Sequence, residues 1–164
     1  GKYNFTNFLA AIAIGLYLDV DKNQINKALT EYKPSNNRSQ VTVTKNNTII
    51  VDCYNANPSS MFSALESFKE IENGNKIAIL GDMLELGDIS QLEHQKTVDY
   101  LKEHALTAYL VGPEFEKTNT NNAIFSTTEE LISYLNSHSI SDSLILLKGS
   151  RGIQLEKVLD MKNI

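Results

Sequence analysis

Two blocks of the sequence, Ile77-Ala78-Ile79-Leu80 and Leu144-Ile145-Leu146-Leu147, are apolar at every position. A strand with one wet face alternates apolar and polar residues, so a strand with no polar position has both faces covered. Helices above and below a mainly parallel sheet provide that cover. The rest of the pattern agrees. Val41-Thr42-Val43-Thr44 and Thr48-Ile49-Ile50-Val51 flank Lys45-Asn46-Asn47 as a hairpin. After them the periodicity predicts helix 59–72, strand 76–80, helix 91–104, strand 107–111, strand 123–125, helix 127–138, strand 143–147 and helix 150–161. Ser126, Thr127 or Thr128 can cap the third of these helices, with Glu129 and Glu130 in its first turn. The expected class is α/β, three-layered, with right-handed crossovers.

Before the hairpin, Phe8, Leu9, Ile12 and Leu16 recur at helical spacing over 5–18, with Ala10, Ala11, Ala13 and Gly15 permitting close packing. A second helix is expected from Asp21, its N-cap, through Ile25, Ala28 and Leu29 to about Glu31. Residues 32–40 are polar, contain Pro34 and read as a connection. The sequence opens without Met and enters a helix at once, the pattern of a piece cut from a longer protein. Residues 1–33 are therefore expected to end a preceding domain and its linker, and 34–164 to form a Rossmann-like domain that begins with the hairpin.

A net charge of −5 argues against a general nucleic-acid binder, while allowing a local basic pocket. Cys53 is the sole cysteine, which excludes an internal disulfide and fits a reducing, cytoplasmic setting. With no histidine near it in sequence it reads as a small buried thiol rather than a nucleophile. The longest apolar stretch, 8–18, is too short for a membrane span, and no signal-peptide pattern is present. No membrane partner is expected.

Four polar clusters fall at strand ends or in the connection. Asp52-Cys53-Tyr54-Asn55-Ala56-Asn57-Pro58-Ser59-Ser60-Met61 joins an apolar strand to an amphipathic helix. It lies at the carboxyl edge of the sheet, where α/β proteins place ligands. Asp52 there can accept from a ribose hydroxyl, although Asn, Pro and Ser also serve turns and caps. Asn4 and Asn7, three apart at a helix start, offer carboxamides to a nucleobase edge, with capping the competing use for Asn4. Arg38 in the connection suits phosphate. The last cluster comprises 80–87 with His94, and Leu147-Lys148-Gly149-Ser150-Arg151-Gly152, where Ser150 at a helix start favours a carboxylate or phosphate. Glu85 and His94 are too far apart for a metal pair, so His94 reads as a surface or structural residue and no metal site is expected. His104 and His138 read as helix-end residues. Lys148-Gly149-Ser150 lacks the upstream glycine of a phosphate loop. The chain can assist nucleotide chemistry without holding the triphosphate alone.

Five segments in order, Y-N-F-T-N-F-L-A-A-I-A-I-G, N-R-S-Q, D-C-Y-N-A-N-P-S-S-M, L-G-D-M-L-E-L-G and K-G-S-R-G, resemble the C-terminal part of the Mur ligase family, in its MurF type. The resemblance covers nearly the whole chain. It implies an ATP-dependent amide ligase of peptidoglycan precursor synthesis that joins D-Ala-D-Ala to UDP-N-acetylmuramoyl-tripeptide through an acyl phosphate. It also implies ATP and Mg2+ held mainly by an upstream ATPase domain, further upstream domains as partners, a monomer, and an isolated chain without activity. On this resemblance Asn4 and Asn7 lie near the adenine, Arg38 at the phosphates and Asp52 at the ribose. Lys148, Ser150 and Arg151 lie where the incoming carboxylate is held, and Tyr54, Asn55 and Asn57 shape the dipeptide or nucleotide site. No catalytic residue is assigned to this segment. Tyr3 stands where the family more usually has His. A sister Mur or folylpolyglutamate-type ligase is a related alternative, which the Y-N-A-N-P turn and G-D-M-L-E-L-G disfavour. A non-catalytic Rossmann-like binding module is the alternative of another class.

Overall fold

The computed structural model describes residues 5–32, 37–72, 74–161 and 164. Two helices, α1 (Phe5–Tyr17) and α2 (Lys22–Glu31), come first. The β1 (Gln40–Val43) and β2 (Asn47–Asp52) hairpin follows, then α3 (Pro58–Glu70), β3 (Lys76–Gly81), α4 (Ser90–Glu103) and β4 (Thr107–Val111). The short α5 (Pro113–Glu116), β5 (Ala123–Phe125), α6 (Thr128–Ser137) and β6 (Ser143–Lys148) complete the order. The strands form one six-stranded sheet in the order β1-β2-β6-β3-β4-β5. Among the described residues, β1 and β2 pair antiparallel and every other neighbouring pair is parallel.

The fully apolar blocks occupy the centre, as their composition requires. Every residue of β6 is buried. One face of the sheet packs Leu80 and Leu146 against Met61, Leu65 and Phe68 of α3 and Val98 and Leu101 of α4. The other packs Ile79, Ile145 and Leu147 against Leu131 and Leu135 of α6 and the C-terminal Leu155 and Val158. The result is the expected three-layer α/β arrangement.

Local chemistry sets the helix starts. Asn57 and Ser60 form a reciprocal capping box, with Pro58 in the first turn of α3. Thr127 accepts from the Glu130 N–H at the start of α6, and Asp21 caps α2 by accepting from Asn23 and Gln24 N–H. At Gly15 a Cβ would lie 2.9 Å from Ile25 Cδ1, so the glycine sets the close approach of α1 and α2. Neither of these helices contains a buried residue. No helix among the described residues is long and apolar enough to cross a membrane.

Three expectations need correction. The segment 150–161 is not one helix but two 3-10 stretches, Arg151–Ile153 and Leu155–Asp160, separated by Gln154 in the left-handed region (φ 59°). The Ser150 hydroxyl that would cap a regular helix accepts from Leu84 N–H instead. Asn47 belongs to β2 rather than to the hairpin loop. It is buried, donating through Nδ2 to Ile140 O and accepting through Oδ1 from Ser143 N–H. The short α5 was not expected, because its N-terminus is held by a carboxylate from another part of the chain.

Candidate functional site

Strand register places the polar residues. Asp52 ends β2 and pairs directly with Lys148 at the end of β6, which pairs on its other side with Leu80 of β3. Lys148 Nζ donates to Asp52 Oδ2 at 2.8 Å, with the lysine side chain 1% exposed and the aspartate 14%. The other oxygen, Asp52 Oδ1, accepts from Ser39 N–H at 3.0 Å and from Ser39 Oγ at 3.4 Å. Asp52 thus holds the connection with one oxygen and the central strand with the other.

Two residues beyond Asp52, the Tyr54 ring centroid lies 4.0 Å from the Arg38 guanidinium and 5.7 Å from that of Arg151. A guanidinium over an aromatic face is held electrostatically while its N–H edges stay available. No carboxylate pairs with Arg38 or Arg151 among the described residues. Arg38, Tyr54 and Arg151 face a cleft of about 550 Å³, completed by Tyr32, Asn37, Cys53 and Glu156. Burial, followed by the charges of Glu156 and Asp52, pushes the Cys53 thiol up to about 12, which removes it as a nucleophile.

A second cleft of about 420 Å³, lined by Asn7, Phe8, Ala11, Ala28, Leu29, Tyr32 and Arg38, adjoins the first through Tyr32 and Arg38. It is apolar apart from a few polar groups, the composition suited to a flat heterocycle. Asn7 therefore lies within reach of the Arg38 cleft, while Asn4 falls outside the described residues.

The remaining expected site residues are placed less openly. Asn55 accepts from the N–H of Ala56, and Asn57 uses its oxygen to cap α3. Ser150 is buried. Its hydroxyl accepts from Leu84 N–H at 2.9 Å and donates to Ala56 O at 3.4 Å, so it links two strand-end turns. Tyr32, Asn37 and Glu156 line the cleft without having been singled out in the sequence; a polar connection and a polar C-terminal segment carry no ligand signal of their own. Asp82 and His94 are both wholly buried beside the site. Burial pushes the Asp82 carboxyl upward despite two backbone N–H donors. Among the described residues no group of three or more His, Cys, Asp or Glu side chains lies close enough to cage a metal ion.

The arrangement is a cationic, aromatic-backed cleft next to an apolar slot, over the carboxyl ends of parallel strands. It can take a phosphorylated ligand with a planar base, or two anions side by side.

A family profile described as "Mur ligase, glutamate ligase domain" matches residues 37–151. The UDP-N-acetylmuramoyl-tripeptide–D-alanyl-D-alanine ligase of Rickettsia prowazekii is 35% identical over 96% of this chain and 36% of its own length. The Bacillus subtilis ligase of the same name is 32% identical over 97% of this chain and 37% of its own. A crystal structure of MurF from Acinetobacter baumannii superposes with a TM-score of 0.80 at 32% identity, covering 98% of this chain and 37% of that one. MurF from Thermotoga maritima in complex with ADP gives a TM-score of 0.75 at 26% identity, covering 93% and 36%. The chain spans little more than a third of the length of these relatives.

Proposed function

The chain belongs to the Mur ligase family by its glutamate ligase domain, and from that premise we propose that it is the C-terminal part of a MurF-type ligase. The whole enzyme joins D-Ala-D-Ala to UDP-N-acetylmuramoyl-tripeptide, in the cytoplasm and as a monomer, with ATP hydrolysed to ADP and phosphate. Residues 1–33 end the ATPase domain and its linker; residues 34–164 form the domain that closes over the site. The phosphate loop, and with it the magnesium, belongs upstream, since this sequence has no GxxxxGK[ST] motif.

The tripeptide carboxylate oxygen attacks the γ-phosphorus, and ADP leaves. The dipeptide amine then attacks the acyl carbon, loses a proton and expels phosphate. Within this scheme Arg38, held on Tyr54, meets the nucleotide phosphates, and Asn4 and Asn7 meet the base. Asp52 accepts from the ribose once Ser39 yields its place. Lys148, through its pairing with Asp52, fixes that carboxylate. Arg151 meets the carboxylate of the incoming dipeptide, on the turn held by Ser150, while Asn55 and Asn57 shape the turn beside it. Closure of such a domain excludes water from the acyl phosphate and aligns the amine.

The observation that carries this reading is the pair of guanidinium groups, without a carboxylate partner among the described residues, around Tyr54 at the carboxyl edge of β2 and β6. Phosphate release by the full-length parent tests it. Release should require ATP, magnesium, UDP-linked tripeptide and D-Ala-D-Ala together, and should be lost in a folded Arg38→Ala protein. Release that needs a different amine would reassign the chain to a sister ligase.

A further inference from the structure

We infer that Asp82 and His94, which the scheme above leaves unused, are positioning residues that fix the turn after β3 and, through it, the Ser150–Gly152 segment facing the incoming amine substrate. The assignment of that segment to the amine substrate rests on the ligase reading; the fixation of the turn does not.

Three successive N–H groups of the turn end on three different elements. Asp82 N–H donates to Val111 O at the end of β4 (2.9 Å). Met83 N–H donates to His94 Nε2 on α4 (3.0 Å), and Leu84 N–H donates to Ser150 Oγ beyond β6 (2.9 Å). In return Asp82 O accepts from Ser150 N–H at 3.0 Å. The Asp82 carboxylate reaches across to the β4 side, where Oδ2 accepts from Glu114 N–H (2.8 Å) and Oδ1 from Phe115 N–H (3.0 Å). Gly112 makes room for it: a Cβ there would lie 2.3 Å from Asp82 Cγ, and φ is +125°. The turn ends with two left-handed residues, Glu85 (φ 65°) and Gly87 (φ 54°).

An aspartate beside a histidine suggests an acid–base dyad, and the hydrogen bonds argue against one. His94 Nδ1 donates to Ser90 O at 2.7 Å, and Nε2 is the acceptor for Met83 N–H. No proton therefore lies between Nε2 and Asp82 Oδ1, 3.6 Å apart, and both side chains are 0% exposed. Neither can touch a ligand. What they control is placement: Leu84 packs on Gly152, where a Cβ would come within 2.8 Å of Leu84 Cδ1. A turn released from His94 loses its grip on the Ser150 hydroxyl and on the backbone beside Arg151. A misplacement of about 1 Å at a reacting amine lowers efficiency by up to about a hundredfold.

The test compares His94→Leu, which leaves Met83 N–H without an acceptor, with His94→Gln, whose carboxamide oxygen can replace Nε2. In the 164-residue chain, nitrogen NMR should show the Nδ1–H tautomer of His94 at neutral pH. Amide exchange at Met83 and Leu84 should rise about tenfold or more in His94→Leu, stay unchanged at Ile79 and Leu146, and return toward wild type in His94→Gln. In the full-length protein, His94→Leu should raise KM for D-Ala-D-Ala about tenfold and leave KM for ATP within about twofold, with His94→Gln again rescuing. A uniform rise in exchange, or no rescue by glutamine, would overturn the positioning role. An equal rise in both KM values would overturn the link to the amine. A wild-type protein without dipeptide-dependent turnover but with the expected exchange pattern would overturn the ligase reading alone.

Discussion

Removing the Asp52 carboxylate should destabilise the fold far more than removing a typical surface charge. Lys148 Nζ and Asp52 Oδ2 are 2.8 Å apart, with the lysine side chain only 1% exposed. At an effective dielectric of about 20, that separation corresponds to an attraction of about 6 kcal/mol, much of it offset by desolvation. Asp52→Ala leaves the ammonium buried without a carboxylate, which costs about 3–5 kcal/mol. Lys148→Met is not its mirror image. Asp52 would keep the Ser39 N–H and hydroxyl and is itself 14% exposed, so a loss of about 1–2 kcal/mol is expected. The double variant should recover part of the Asp52→Ala loss, giving a coupling above about 1 kcal/mol. Urea unfolding of the 164-residue chain, followed by far-UV circular dichroism at neutral pH, measures all three. With a slope near about 2 kcal/mol per molar urea, Asp52→Ala should lower the midpoint by about 1.5–2.5 M. A shift under about 0.5 M, with no coupling, would mean the pair behaves as a solvated surface ion pair and would refute the reasoning.

Cys53, with its thiol pushed up to about 12 from 9.0, should react with Ellman's reagent about a thousandfold more slowly in the folded chain than in urea; similar rates would contradict its burial. Asn57→Ala should remove the α3 cap and cost about 1 kcal/mol, seen as a fall of about 2–4 °C in Tm, while Asn57→Asp should keep most of the stability. An unchanged Tm in Asn57→Ala would mean the cap contributes nothing. Burial raises the Asp82 carboxyl in the folded state. Its stabilising contribution is therefore full below the unfolded value of about 3.9 and is lost as pH rises through the raised folded value. The stability advantage of wild type over Asp82→Asn should grow as pH falls through that window, and a shrinking gap would reverse the sign.

The parts of this molecule readable from sequence are those whose cause is local. Apolar blocks at 77–80 and 144–147 announce central strands because no polar position leaves a face for water. Asp21 and Thr127 announce helix starts because the capped N–H groups are two or three residues away. The same locality placed Asp52, Tyr54, Lys148 and Arg151 near one sheet edge, since strand ends converge in a parallel sheet. What stayed hidden depends on partners far along the chain. Asp52 and Lys148 are 96 residues apart and meet only through register. Ser150 spends its hydroxyl on Leu84, 66 residues away, so the expected 150–161 helix loses its cap and breaks at Gln154. Asp82 caps α5 across 32 residues, which no window around Pro113 reveals. Asn57 illustrates an ambiguity of composition: the turn motif suits a ligand or a helix start, and its oxygen is occupied by the helix start.

The most direct measurement follows oxygen through the reaction. The full-length parent would be given UDP-linked tripeptide labelled with oxygen-18 in its terminal carboxylate, together with ATP, magnesium and D-Ala-D-Ala. Attack of that carboxylate on the γ-phosphorus, followed by displacement by the amine, should move one labelled oxygen into the released phosphate for each amide formed. Unlabelled phosphate accompanying pentapeptide formation would rule out the acyl phosphate over which this domain is proposed to close.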